Sequence, residues 1–342
     1  MAQSRAIRLP PMPKVSDLLR MYGLTAQKQL SQNFILDLNI TDKIAKVADV
    51  FDCYVCEVGA GPGSLTRSVL HAGARHVAAV EIDKRFLPSL QLLEDAAKGR
   101  MTVYHADIMG FDIPAAFSDV EPSPWEKGVS NSFLVIPGVR MVGNLPFNVS
   151  IPLLLQWLEA IPQRGGPFKF GRTPMSLVFQ KEVAENIVAD PRNYNRSRLT
   201  IMVQYLCEVK KKYILPNSVF IPKPKVDASL VHLVPRAEPL ITAPYVVVEQ
   251  VVKAVFAMRR KYIHTPLKLL FPDREHLVNE LVRLADVNTE QRAHELSMED
   301  FNKLCCAYDE LACTLKLPLQ PMKMNKPRYV ADMLDSRTDD KT

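Results

Sequence analysis

The chain has 342 residues, 47% apolar and 23% charged, a globular composition with room for one large domain and a smaller one. Its formal net charge of +6 suits a polyanionic partner without establishing one. No apolar run reaches the roughly 18 residues of a membrane-crossing helix, which excludes a helical membrane span.

Residues 1–24 read as an N-terminal extension. The opening stretch MAQSRAIRLPPMPKVS carries Arg5, Arg8 and Lys14 and no acid, which fits a mitochondrial targeting segment, although its prolines make it a poor amphipathic helix. From Cys53 onward strand-like and helix-like blocks alternate. CYVCEVG, HVAAVEI, MTVYHAD, VRMVGN and MSLVFQ read as strands, and SLTRSVLHAG, KRFLPSLQLLEDAAKG, IPLLLQWLEAI and KEVAENIVAD as helices, with Pro152 in the first turn of IPLLLQWLEAI. This order predicts an α/β domain over 25–237 with a mostly parallel sheet covered on both faces. The proline-rich stretch 110–139 reads as a surface insertion. Between 197 and 235, LCEVKKKYIL and ASLVHLVP read as antiparallel strands finishing the sheet. YVVVEQVVKAVFAMRRKYI, REHLVNELVRLADV and MEDFNKLCCAYDELACTL then predict a small helical domain over 238–325, followed by a polar tail over 326–342.

Six cysteines are present. Cys53 and Cys56 have CxxC spacing but fall in a strand, where positions three apart point to opposite faces, so the pair does not clasp one metal. No second pair completes a site; free thiols in a reducing compartment and no metal are expected.

The first strand ends in EVGAGPGS. Its glycines give G-x-G-x-G, with Ser64 where the dinucleotide fingerprint has its last glycine. A dinucleotide needs a helix N-terminus against a pyrophosphate. S-adenosylmethionine has no phosphate, and a glycine-rich turn lets the backbone approach its nucleoside and methionine parts. Gly59 and Gly61 are therefore assigned to that cofactor. Glu81 ends the next strand and is placed to accept from both ribose hydroxyls; Asp107 ends the third and is placed to accept from the adenine amino group. Any one acid at a strand end is weak evidence, but three such features at successive strand ends of one sheet are specific.

After the fourth strand comes Asn144-Leu145-Pro146-Phe147. An exocyclic amine on a nucleobase is a poor nucleophile because its lone pair is delocalised into the ring. Two acceptors, the Asn144 side-chain carbonyl and the Leu145 backbone carbonyl, localise that lone pair by binding the amine hydrogens. Pro146 stiffens the turn and brings no competing N–H. Phe147 offers a face for an unstacked base. An ordinary Asn-Pro turn is the competing reading, and the position at a cofactor-binding sheet favours the clamp.

In order along the chain stand LSQNFILD, EVGAGPGSLT, VEID, HAD, GNLPFNVS, FQKEVAENIVA, RLTIMVQY, FIPKPKVDASLV and FAMRRK. Together, over roughly residues 25 to 305, they resemble the small-subunit ribosomal RNA adenine dimethyltransferases. The N-terminal stretch and the 110–139 insertion resemble their mitochondrial branch. The resemblance implies a Rossmann-like class I fold, S-adenosylmethionine as cofactor, and N6,N6-dimethylation of two adjacent adenines in a hairpin near the 3′ end of small-subunit rRNA. It implies that Gln32, Asn33 and Ile35 lie over the cofactor, that Ile82 and Ile108 touch its adenine, and that Asn144 serves both cofactor and substrate. Ile35 stands where Leu is usual, Ala60 where Pro is frequent, and Phe147 where Tyr is often found. Lys223 and Lys225, with Arg259, Arg260 and Lys261 in the last turn of the YVVVEQVV helix, become rRNA phosphate contacts. The implied partners are mitochondrial small-subunit rRNA and the small ribosomal subunit, met in the matrix by a monomer. Two alternatives stay open: a non-catalytic role with the mitochondrial transcription machinery or in ribosome assembly, and methylation of DNA adenine or protein glutamine.

Overall fold

The computed structural model describes residues 9–25, 32–125, 138–272, 274–317 and 319. Arg5 and Arg8, residues 126–137 of the expected insertion and the polar tail lie outside the described residues.

In chain order, helix α1 (Val15–Met21) precedes the short strand β1 (Phe34–Ile35) and helix α2 (Leu38–Ala48). Strand β2 (Tyr54–Val58), α3 (Ser64–His71), β3 (His76–Glu81), α4 (Leu87–Ala97) and β4 (Met101–His105) then alternate. Helix α5 (Ile113–Ala116), β5 (Val139–Asn144), α6 (Phe147–Ala160), β6 (Met175–Gln180) and α7 (Lys181–Ile187) follow. Next come α8 (Arg198–Gln204), β7 (Cys207–Leu215), β8 (Phe220–Ile221) and β9 (Ala228–Pro235). Helices α9 (Tyr245–Phe256), α10 (His264–Leu267), α11 (His276–Ala285) and α12 (Met298–Leu315) end the series. No helix among the described residues is long and apolar enough to cross a membrane.

The chain divides into two compact units. One holds the residues up to Ala184 with Lys210–Ala237; the other holds Glu185–Val209 with the residues from Glu238 on. The expected domain 25–237 is thus interrupted, since the segment 185–209 groups with the helices that follow.

In the first unit the sheet runs β4-β3-β2-β5-β6-β9-β7. The pairs β2–β3, β3–β4, β2–β5 and β5–β6 are parallel, and β9 is antiparallel to β6. This is a Rossmann-like, mostly parallel sheet. Val55, Cys56, Glu57 and Val58 of the central strand β2 are all buried, as a strand covered on both faces demands. A second pairing, β1 antiparallel to β8, matches Phe34 with Ile221 and Ile35 with Phe220. One core cluster joins Phe34, Ile44, Val55, Val69, Leu90 and Phe220.

Several elements depart from the periodic reading. Residues 9–24, assigned to the extension, contain α1, whose Val15 and Leu18 are 5% and 1% exposed. Leu9, Met12, Leu19 and Leu24 pack against the same core, and the Arg67 guanidinium donates to the Pro13 carbonyl at 2.6 Å. The start of the expected insertion is also packed: Ile113 and Phe117 are buried, and Phe117 sits edge-on to Tyr54 and Phe170. Helix α6 starts at Phe147 rather than Ile151, so Pro152 lies in the helix interior and not in its first turn.

In the second unit α8 occupies a segment expected to be strand-rich. Its start is fixed by a capping box in which the Ser197 amide donates to the Thr200 hydroxyl at 2.8 Å. Helix α9 buries Val247, Val248, Val251 and Val252 and stacks Phe256 on Phe301 of α12 with the rings 4° from parallel. It ends at Phe256, so Arg259, Arg260 and Lys261 follow the helix instead of forming its last turn.

Because α1 is part of the core, Leu18→Ala is expected to lower the unfolding free energy by about 2–5 kcal/mol. Urea denaturation of the intact chain measures this; a dispensable extension gives no change.

Candidate active site

Strands β2 and β5 are neighbours whose chain connections depart in opposite directions, β2 towards β3 and β4, β5 towards β6. Open α/β sheets bind ligands outside the carboxyl ends of the strands at such a switch point. The glycine turn follows β2, Glu81 ends β3, Asp107 follows β4 and Asn144 ends β5, all at that edge of the sheet.

The glycine-rich turn follows β2. Gly61 has φ +54°, and its amide donates to Glu81 Oε2 at 2.7 Å. A Cβ at Gly61 would lie 3.3 Å from the Phe34 ring, so side-chain substitution meets both strain and crowding. Glu81 Oε1 accepts from the Asp83 amide at 2.8 Å. Burial raises the Glu81 pKa, with the Asp83 and Gly61 amides opposing that rise. Next to it, burial would also raise Asp83. Hydrogen bonds from Arg85 and Gln32 outweigh it and bring Asp83 down to about 2. Gln32 Nε2 donates to Asp83 Oδ2 at 2.9 Å, which ties the chain before β1 to the end of β3.

At the tip of β5, Gly143 lets two strands approach closely: a Cβ there would lie 3.0 Å from the Val58 carbonyl oxygen. Asn144 Nδ2 donates to the Asn33 carbonyl at 2.8 Å. The donor end of the amide is thereby committed, and Oδ1 is the end left to accept. Leu145 is buried; Pro146 and Phe147 are half-buried. A Cβ on Gly59 would lie 3.7 Å from Pro146 Cδ and 4.0 Å from the Asn144 carbonyl oxygen, so the glycine turn and the Asn144 loop face each other. Ile35 is buried in β1.

Asp107 caps the turn after β4 by accepting from the Met109 amide through Oδ1. Ile82 is half-exposed, and Ile108 is partly buried at the start of that turn. The Ala106 amide donates to the Glu81 carbonyl at 3.1 Å, which holds the two acidic strand ends together. Lys223 and Lys225 follow β8, are exposed, and are joined to the site through the β1–β8 pairing. In the second unit Arg260 and Lys261 are exposed, but Arg259 is engaged: its Nη2 donates to the carbonyls of Tyr194 and Arg196 at 2.6 and 2.9 Å.

Sequence reasoning missed Glu57. It lies inside β2, 1% exposed, and neither carboxyl oxygen has a hydrogen-bond partner. Thr66 is near enough to favour the ionised form but falls short of hydrogen-bond geometry. Burial, with help from the Glu81 charge and against Thr66, raises the Glu57 pKa to about 8. Ser64 Oγ and Thr66 Oγ1 are likewise buried without partners. Such groups are costly unless something supplies their hydrogen bonds. A ligand carrying an ammonium group and hydroxyls, seated at the glycine turn, meets that need. The signal in the sequence was one acid within an otherwise apolar central strand.

Glu57 gives the empty protein a pH signature. Its folded pKa of about 8 lies above the free value of 4.5, so between these values the folded chain holds a proton that the unfolded chain has released. Its contribution to stability is full below the free value and is lost as pH rises through the window, by at most about 1.4 kcal/mol per pH unit. Glu57→Gln is expected to lack this slope, which denaturation of both proteins across the window measures by difference.

The family model "Ribosomal RNA adenine dimethylase" matches residues 23–310. The chain is 46% identical over 307 residues to dimethyladenosine transferase 1, mitochondrial, of Xenopus laevis, covering 89% of this chain and 87% of that protein. It is 45% identical over the same length and coverage to the Homo sapiens protein of that name. Among solved structures, a dimethyladenosine transferase from Plasmodium falciparum superposes with a TM-score of 0.60 at 26% identity, covering 80% of this chain and 96% of that one. The 23S rRNA methyltransferase ErmE gives 0.54 at 25% identity, covering 81% and 100%.

Proposed function

The chain belongs to the ribosomal RNA adenine dimethylase family, and on that premise we propose a specific reaction for it. As an rRNA adenine dimethyltransferase of the mitochondrial type, it acts on two adjacent adenines in the 3′-terminal hairpin of small-subunit rRNA. It does so in the matrix, with S-adenosylmethionine as methyl donor, in support of small-subunit assembly.

The observation that carries the reading is the hydrogen bond from Asn144 Nδ2 to the Asn33 carbonyl. It fixes the orientation of the amide, so Oδ1 is the atom available to a substrate amine. The Leu145 carbonyl is the second acceptor. Bonding both N6 hydrogens draws the lone pair out of conjugation with the ring and aims it. Pro146 holds the spacing of the two acceptors, and Phe147, at the first position of α6, supports the face of an extruded base. On taking the methyl group N6 becomes cationic and sheds one of its own protons afterwards, so no strong base is needed beforehand.

The buried polar atoms at the start of α3 and the glycine cradle beside Asn144 fit the cofactor. Bound there, S-adenosylmethionine supplies an electrophilic methyl group. Glu81 is the acceptor for its ribose hydroxyls, Asp107 for its adenine amine, and Gln32, Asn33 and Ile35 form the segment over it. Gly59, Gly61, Ile82 and Ile108 line the approach. Exposed Lys223 and Lys225 serve RNA phosphates, which position a substrate without reading its bases.

Two outcomes follow. In cells depleted of the protein, mass spectrometry of mitochondrial small-subunit rRNA is expected to show loss of dimethyladenine. Wild-type chain restores it and Asn144→Ala does not; unchanged dimethyladenine after depletion refutes the reading. Glu81→Ala is expected to weaken S-adenosylmethionine binding by about 1.5–3 kcal/mol, measured by calorimetry. Equal affinity removes the ribose assignment.

A further inference from the structure

The second unit carries an aromatic platform that the proposed methyl-transfer chemistry does not use. Tyr194 lies in the loop between α7 and α8 and is 76% exposed, the most exposed large hydrophobic among the described residues of that unit. An exposed tyrosine ordinarily samples several rotamers, but this one is held from two sides. One face of its ring stacks on His294, with centroids 5.0 Å apart and planes 26° from parallel. Its backbone carbonyl accepts from Arg259, and the Arg192 amide donates to the His294 carbonyl at 2.8 Å. The loop is fixed further by hydrogen bonds from the Asn195 and Arg196 amides to Asn193. Arg196 itself is buried beneath it, donating to the Leu296 carbonyl and lying over the Phe301 ring.

The surroundings are cationic. Arg192 and Arg292 are exposed, and Arg259, Arg292 and Arg196 all act on the His294 ring. Burial, joined by these three charges and opposed by Glu295, lowers the His294 pKa, which favours a neutral, stackable ring. The acids in the cluster are Glu295, which accepts from the Arg292 amide, and Asp190 and Asp300, whose charges both act on Arg196. The outcome is an exposed aromatic ring stacked on His294 in a region that also carries the exposed Arg192 and Arg292.

We infer that Tyr194, backed by His294, is a stacking platform for an unpaired nucleobase of the RNA substrate, with Arg192 and Arg292 taking the phosphates on either side. The inference rests on the rRNA reading above and names a contact that serves affinity. A base and an aromatic ring stack whatever the base, so the platform contributes grip without sequence choice. Because the loop is ordered in advance, little freedom remains to be lost on binding.

The test uses the full chain and a naked RNA hairpin with unpaired loop nucleotides, read by fluorescence anisotropy over a salt series. Tyr194→Ala is expected to bind about tenfold more weakly, about 1.4 kcal/mol, with an unchanged melting temperature. Tyr194→Phe and Tyr194→Trp are expected to bind like wild type. Arg192→Ala and Arg292→Ala should each reduce the salt dependence by about one phosphate contact. In the wild-type chain, a photoreactive nucleotide in the hairpin loop should crosslink to the peptide containing Tyr194. Binding by Tyr194→Ala within twofold of wild type overturns the platform and leaves the enzyme assignment standing. A defect seen only with assembled subunits and absent with naked RNA also overturns it, since the face would then meet a protein. A wild-type chain that binds no RNA removes the rRNA reading and the platform together.

Discussion

The candidate site depends on one hydrogen bond, from the Asn144 amide to the Asn33 carbonyl. It joins the segment before β1 to the tip of β5 across more than a hundred residues of chain. An asparagine amide has a donor end and an acceptor end, and in a free side chain they exchange by a half-turn of the terminal bond. Committing the donor end makes the acceptor end a fixed feature of the loop. Other interactions act to keep this bond in place. The β1–β8 pairing anchors Phe34 and Ile35 next to Asn33, Gln32 is tied to Asp83, and Gly143 lets β5 press against β2 so that Asn144 emerges at the right height.

Around that bond the electrostatics are uneven in an informative way. Asp83 is satisfied several times over and held low, while Glu81 is braced by two amides and Glu57 has only Thr66 nearby, short of hydrogen-bond geometry. A protein that builds such a gradient over a few residues keeps one end finished and the other incomplete. The finished end holds the chain entry in position. The other end comprises Glu57 in β2 and the Ser64 and Thr66 hydroxyls at the start of α3.

Much of this was legible in the sequence because the central strands are short apolar runs that stop at Gly, Asp or Asn. Glu81, Asp107 and Asn144 were placed by those stops. What was not legible has identifiable causes. The segment RLTIMVQ of α8 is rich in β-branched and apolar residues, so its pattern cannot be told from a buried strand; the Ser197–Thr200 capping box decides it. The start of α6 was obscured by Pro146 and Pro152, two residues that normally mark the edges of helices. Arg259 reads like its neighbours Arg260 and Lys261, and only the fold reveals that its guanidinium is spent on two carbonyls. The helix within residues 9–24 was hidden by a composition that suits an import signal equally well.

Pro152 sits in the interior of α6, and its ring nitrogen carries no hydrogen. The Asn148 carbonyl, four residues earlier, therefore lacks the partner that a regular helix would give it. The ladder of bonds is interrupted one turn below Phe147, and the Ser150 hydroxyl caps the Phe147 carbonyl from the side. The opening turn of α6 is thus tied down by side chains as much as by its backbone, with Phe147 packed against the core, while the remaining turns, buried through Leu154, Trp157 and Leu158, hold their register against the sheet.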